Sequence, residues 1–140
     1  MDKKIRVFID TNIWFSAFYK KGPASEILEK LLNEKFIVVI SELVLNEILG
    51  NIIEKLPQRI DLVKQFLLSY PLTIVKNPLL SEIKRYRNLA ETKDLPILVS
   101  AINYKCHYLV TGNLKDFKVQ ETKARWGLRI ISLKGLLKII

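Results

Sequence analysis

Apolar positions follow two rhythms along this chain. Five short stretches, Ile5 to Ile9, Phe36 to Ile40, Leu72 to Val75, Tyr108 to Val110 and Arg129 to Ile131, are dominated by consecutive apolar and mostly β-branched residues. Such stretches suit strands buried on both faces. Between them, apolar residues return every three or four positions, the mark of helices with one buried side. Strand and helix patterns alternate throughout, which predicts an α/β fold with a parallel sheet wrapped on both faces.

The helical segments can be bounded from their ends. Ile13, Trp14, Phe15, Ala17 and Phe18 predict a short buried helix closed by Lys20, Lys21, Gly22 and Pro23, and Ile27, Leu28, Leu31 and Leu32 mark one face of a second. Ser41 stands where an N-cap belongs, and the stripe Leu45, Ile48, Leu49, Ile52 runs to Leu56 before Pro57 stops it. A further helix is expected from Gln58 to Leu68, another from Leu79 to about Glu91 behind Pro78, and one opening at Asp94, Leu95 and Pro96 with Ile97, Leu98, Ala101 and Ile102 buried. After Phe117 the pattern loosens. Ser132 then caps a last helix carrying Leu133, Leu136, Leu137 and Ile140.

Composition narrows the class. A chain of 140 residues, 49% of them hydrophobic, is expected to be one domain, residues 1–140, with a core that needs no disulfide or structural metal. Apolar runs such as Phe36 to Ile40 fall far short of the ~20 residues of a membrane helix, and no leader pattern is visible, so a cytoplasmic protein is expected. A single cysteine, Cys106, excludes an internal disulfide and a cysteine-based zinc site. A net charge of +9 favours a polyanionic partner, nucleic acid first, although a solvated lysine-rich surface carries the same excess.

The chemistry lies in four acids. Strand carboxyl ends and helix amino ends share one edge of a parallel sheet, the usual place of an active site. Asp10 ends the first strand, Glu47 lies under two turns into the helix after the second, Asp94 is at a helix start and Asp116 follows the fourth strand. Two carboxylates about 5 Å apart repel by roughly 3 kcal/mol at an effective dielectric near 20, so such a group calls for protonation or a cation. All-oxygen ligands without His or Cys select Mg²⁺ or Mn²⁺ ahead of zinc. Capping explains Asp94 equally well, periodicity alone does not choose Glu47 over Glu42, and Asp116 reads as a loop residue. His107 has no second ligand at metal spacing and reads as structural. Trp14, Phe15 and Phe18 read as core before they read as base-stacking platforms.

The segments DTN after the first strand, SELVLNEIL, KDLPILVSAI and YLVTGNLKDF resemble, in order and spacing, the four signatures of the PIN domain family. The similarity spans Ile5 to Ile131 and is greatest to the stand-alone prokaryotic PIN proteins of toxin-antitoxin pairs, the VapC-like ribonucleases. That resemblance implies a three-layer α/β/α fold with strand order 3-2-1-4-5 and a metal-dependent RNase active on RNA. It implies a homodimer and an antitoxin partner. It makes Asp10, Glu47, Asp94 and Asp116 the acidic, ion-holding site, with Thr11, Asn12, Ser41, Thr111 and Asn113 as hydrogen-bonding support. Such relatives often show a pair of Asp residues where this chain has Lys93 and Asp94, and TGD where it has Thr111, Gly112 and Asn113, so this site is one or two charges poorer. Lys20, Lys21, Lys115 and Lys118 are the candidate RNA-strand cations. The rival readings are a nucleic-acid-binding module that does not cut, and a phosphatase with Asp10 as nucleophile. Asn12 stands where the second acid of the latter belongs.

Overall fold

The structure, a computed structural model, describes residues 4–31 and 35–140. Five strands, β1 (Ile5–Ile9), β2 (Phe36–Ser41), β3 (Leu72–Val75), β4 (Tyr108–Val110) and β5 (Arg129–Ile131), form one sheet in the order β3-β2-β1-β4-β5. Every pairing is parallel, with Val7 opposite Val38 on one side and Tyr108 on the other. This is the expected strand order, and all five strands fall where the apolar runs placed them. The centre is dry because the runs are: Val7, Phe8, Ile9, Ile40, Leu109 and Val110 are fully buried, each worth about 1.5–3 kcal/mol if a large side chain.

Between β1 and β2 run α1 (Thr11–Tyr19) and α2 (Pro23–Leu31), and between β2 and β3 run α3 (Glu42–Lys55), a 3-10 turn (Pro57–Arg59) and α4 (Ile60–Ser69). Of the second helix's expected stripe, Leu32 lies outside the described residues. α1 packs on α2 and α3, and α3 on α4. Trp14 fills the space beneath them, fully buried and edge-on to Tyr70 at 6.3 Å. The Tyr70 hydroxyl donates to the Leu28 carbonyl at 2.7 Å, which ties α4 to α2. Right-handed crossovers put these helices on one face.

The chain then recrosses the sheet through α5 (Leu80–Arg85), a 3-10 turn (Thr92–Asp94) and α6 (Leu95–Asn103), which packs on β2 and β4. A 3-10 turn (Leu114–Asp116) and α7 (Val119–Trp126) join β4 to β5, and α8 (Leu133–Leu137) closes the chain against α2. No helix among the described residues is long and apolar enough to cross a membrane.

Three expectations need correction. The helix expected from Leu79 to Glu91 stops at Arg85, because the following segment is drawn into a short antiparallel contact with the loop after β4. Ala90 bridges Phe117, the Glu91 N–H donates to the Asp116 carbonyl at 2.9 Å, and the Lys118 N–H donates to the Leu89 carbonyl at 2.8 Å. The stretch after Phe117 is not loose but helical: α7 went unseen because it is polar nearly all round, with only Thr122 buried. Ile102, expected in the buried stripe of α6, is half-buried.

Candidate active site

Asp10 is where β1 ends and α1 begins. Its backbone N–H donates to the Val110 carbonyl at 2.9 Å, which fixes it across the β1–β4 seam. Its carboxylate is 5% exposed and held at both oxygens: Oδ1 accepts from the Thr11 N–H at 2.7 Å and Oδ2 from the Thr111 hydroxyl at 2.8 Å. Asp10 is therefore both the α1 cap and a fixed anion at the sheet edge. Thr111, itself fully buried, also accepts from the Asn113 N–H at 3.2 Å, so the turn after β4 is built around the same carboxylate.

Asp94 is brought there by the 3-10 turn that leads into α6. The capping explanation of this residue fails, because its side chain makes no cap hydrogen bond, although it sits at the N-cap position. It is 7% exposed, and its Oδ2 is buried without a hydrogen-bond partner. Burial first, then the charges of Asp10 and Asp116, push its pKa up to about 6, opposed by Lys93 and helped by a hydrogen bond with Asp116. Glu47 reaches the same cleft from the second turn of α3, while Glu42 belongs to the first turn, where the dipole welcomes it. Partial burial, then Asp10 and Asp94, raise the Glu47 pKa.

These three acids line one cleft of about 170 Å³ together with Thr11, Asn12, Lys93, Ile97 and Asn113. Asp116 is set back from it. Half-buried, it borders an adjoining depression of about 220 Å³ with Glu91, Lys115 and Lys118, and couples to the cleft through Asp94 and through Lys93, whose Nζ is 3.7 Å from Asp116 Oδ2. Asn113 lines the cleft directly; Asp116 does not.

The supporting residues divide. Thr111 and the Thr11 backbone hold Asp10, whereas Ser41 accepts from the Val44 N–H at 3.2 Å as the cap of α3 and acts by placing the helix that carries Glu47. Asn12 stands exposed at the rim. Lys115 and Lys118 border the depression of Asp116 and Glu91 and not the cleft of the other three acids, and Lys20 and Lys21 follow the far end of α1, about 13 Å along its axis from Asp10. Lys93 is the cleft residue that sequence reasoning noted only as a departure from the family pattern. Its signal was adjacency to Asp94.

An ion would suit these donors. Two of the buried polar atoms without a partner, Asp94 Oδ2 and Thr11 Oγ1, belong to residues of this cleft, and an orphaned buried carboxylate oxygen costs free energy until something binds it. The donor set is all oxygen. Among the described residues no three acidic, His or Cys side chains are gathered tightly enough to hold an ion by themselves, so an ion here would need ligands besides these side chains.

The sequence profile of a family described as PIN domain matches residues 6–115. The fold is similar to that of a chain in the crystal structure of VapBC2 from Rickettsia felis bound to a DNA fragment from their promoter, with a TM-score of 0.67 and 22% identity over 91% of this chain and 98% of that one. It is also similar to a chain of a toxin-antitoxin complex from Klebsiella pneumoniae, with a TM-score of 0.60 and 19% identity over 87% of this chain and 94% of that one. No curated protein matches.

Proposed function

The chain belongs to the PIN domain family, and from that premise we propose that it is a Mg²⁺- or Mn²⁺-dependent endoribonuclease, the toxin member of a toxin-antitoxin pair. The observation that carries the reading is the unpartnered, buried Oδ2 of Asp94 in the cleft it shares with Asp10 and Glu47. A carboxylate that served structure alone would have both oxygens satisfied; Oδ2 of Asp94 is not. The toxin assignment draws on the two toxin-antitoxin assemblies to which the fold is similar. A single domain over residues 1–140, a homodimer, an antitoxin partner and a cytoplasmic location complete the proposal.

In this reading Asp10 and Asp94 would hold the ion, with Glu47 beside them in the same cleft and Asp116 set back from it. The ion when bound supplies an activated water and stabilises charge on the phosphate and leaving oxygen. The chain's own groups do the rest. Thr111 and the Thr11 N–H lock the Asp10 carboxylate in one orientation, so no reorganisation is needed on binding. Glu47, which lines the cleft and has its pKa raised, would take the proton of the attacking water. Attack at phosphorus breaks the bond to the 3′ oxygen and leaves 5′-phosphate and 3′-hydroxyl ends. Lys115 and Lys118, which border the depression beside Asp116, would serve as phosphate contacts.

The test is incubation of purified protein with single-stranded RNA and DNA in Mg²⁺, Mn²⁺ or EDTA, with end-group analysis of the fragments. RNA fragments bearing 5′-phosphates in Mg²⁺ or Mn²⁺, and none in EDTA, are expected. RNA bound but left intact in both metals would instead make the chain a binding module.

A further inference from the structure

We infer that Lys93 stands in the place of a second cation, so that the cleft takes one divalent ion and Lys93 supplies the remaining positive charge; the inference rests on the nuclease reading above. Three observations carry it. Lys93 lines the same cleft as Asp10, Glu47 and Asp94, directly before Asp94 in the chain. Its Nζ lies 3.7 Å from Oδ2 of Asp116, the acid set back from that cleft, so an ammonium already faces the carboxylate that a second ion would need. Asp94 Oδ2, buried with no partner, remains for the first ion.

Exposure decides what the ammonium can do besides. The Lys93 side chain is 72% exposed and the Asp116 side chain 16% exposed, so the pair forms at the cleft mouth with the carboxylate inside and the ammonium outside. Such pairs are weakly held. An ammonium has three donors, and those not turned to Asp116 are open to solvent. A divalent ion bridging Asp94 and Asp116 would be forced against this charge and repelled. Lys93 therefore separates the acids that line the cleft, Asp10, Glu47 and Asp94, from an ammonium-bound Asp116.

Calorimetric titration of Mn²⁺ into the RNA-free protein tests this, with Lys93→Arg, Lys93→Gln and Lys93→Asp beside the parent and circular dichroism to confirm that each is folded. One Mn²⁺ per chain is expected for the parent and for Lys93→Arg, two for Lys93→Asp, and a second, weaker ion for Lys93→Gln, which only removes the charge. Two ions in the parent, or one ion in Lys93→Asp and Lys93→Gln alike, overturns the inference and leaves the nuclease reading standing. A parent that binds no Mn²⁺ overturns the ion site itself and this inference with it.

Discussion

Replacing Asp94 by Asn should make the ion-free protein more stable, and by an amount that depends on pH. The folded state holds the Asp94 proton more tightly than the usual 3.8, at about 6, and this difference corresponds to roughly 3 kcal/mol. Its sign is that of an acid whose pKa is raised on folding: the penalty is absent below pH 4, where the group is protonated folded or unfolded, grows between pH 4 and 6, and is complete above pH 7. The Asn amide is the same size, carries no charge and donates toward Asp116, where the parent sets carboxylate against carboxylate. In EDTA at pH 7.5 the variant should melt about 10 °C above the parent, since a domain of this length loses roughly 0.3 kcal/mol of stability per degree near its midpoint; at pH 4 the two should coincide. Adding Mn²⁺ at about a hundredfold its dissociation constant should return about 2.7 kcal/mol to the parent and little to the variant. Paired thermal melts from pH 4 to 8, with EDTA and with Mn²⁺, read all of this. A difference that is constant across that range, or a variant less stable than the parent in EDTA at pH 7.5, would refute the argument that Asp94 is a buried, unpaired charge.

Ser41→Ala removes the hydroxyl that accepts the Val44 N–H and should cost about 1 kcal/mol in urea denaturation, while lowering cleavage because α3 carries Glu47. Asp116→Asn should weaken Mn²⁺ binding less than Asp94→Asn does, and Asn113→Asp should preserve or tighten it, because Asn113 and not Asp116 lines the cleft; calorimetry on the three variants ranks them. RNA binding in EDTA should weaken steeply between low and physiological salt, as a chain of net charge +9 contacting phosphates requires; filter binding across that range would expose a salt-independent, protein-like mode.

The strands were legible because each is short, apolar on both faces and bounded by polar residues, so Ile5 to Ile9 and Phe36 to Ile40 admit one reading. Their order came from resemblance, not periodicity. α7 was illegible for the opposite reason: a surface helix that buries only Thr122 leaves no stripe. The early end of α5 was hidden because helical pattern continues past Arg85 while the backbone is taken by Phe117 and Lys118, some thirty residues on. The site followed the same division. Asp10 could be placed by its own strand, but that Asp94 caps nothing, that Thr111 grips Asp10 and that Lys93 reaches Asp116 are facts of tertiary approach between β1, the turn after β4 and the turn before α6.

The central claim is that the acids at this sheet edge cut RNA with a divalent ion, and Asp10→Asn tests it most directly because that carboxylate is fixed at both oxygens and its replacement is isosteric. Cleavage of single-stranded RNA by parent and Asp10→Asn is followed side by side in Mn²⁺ and in EDTA, with both proteins shown to be folded. The account predicts fragments from the parent in Mn²⁺ alone and a loss of at least about a hundredfold in the variant, the effect of removing one fixed catalytic group. Cleavage by the variant at the parent's rate would contradict it.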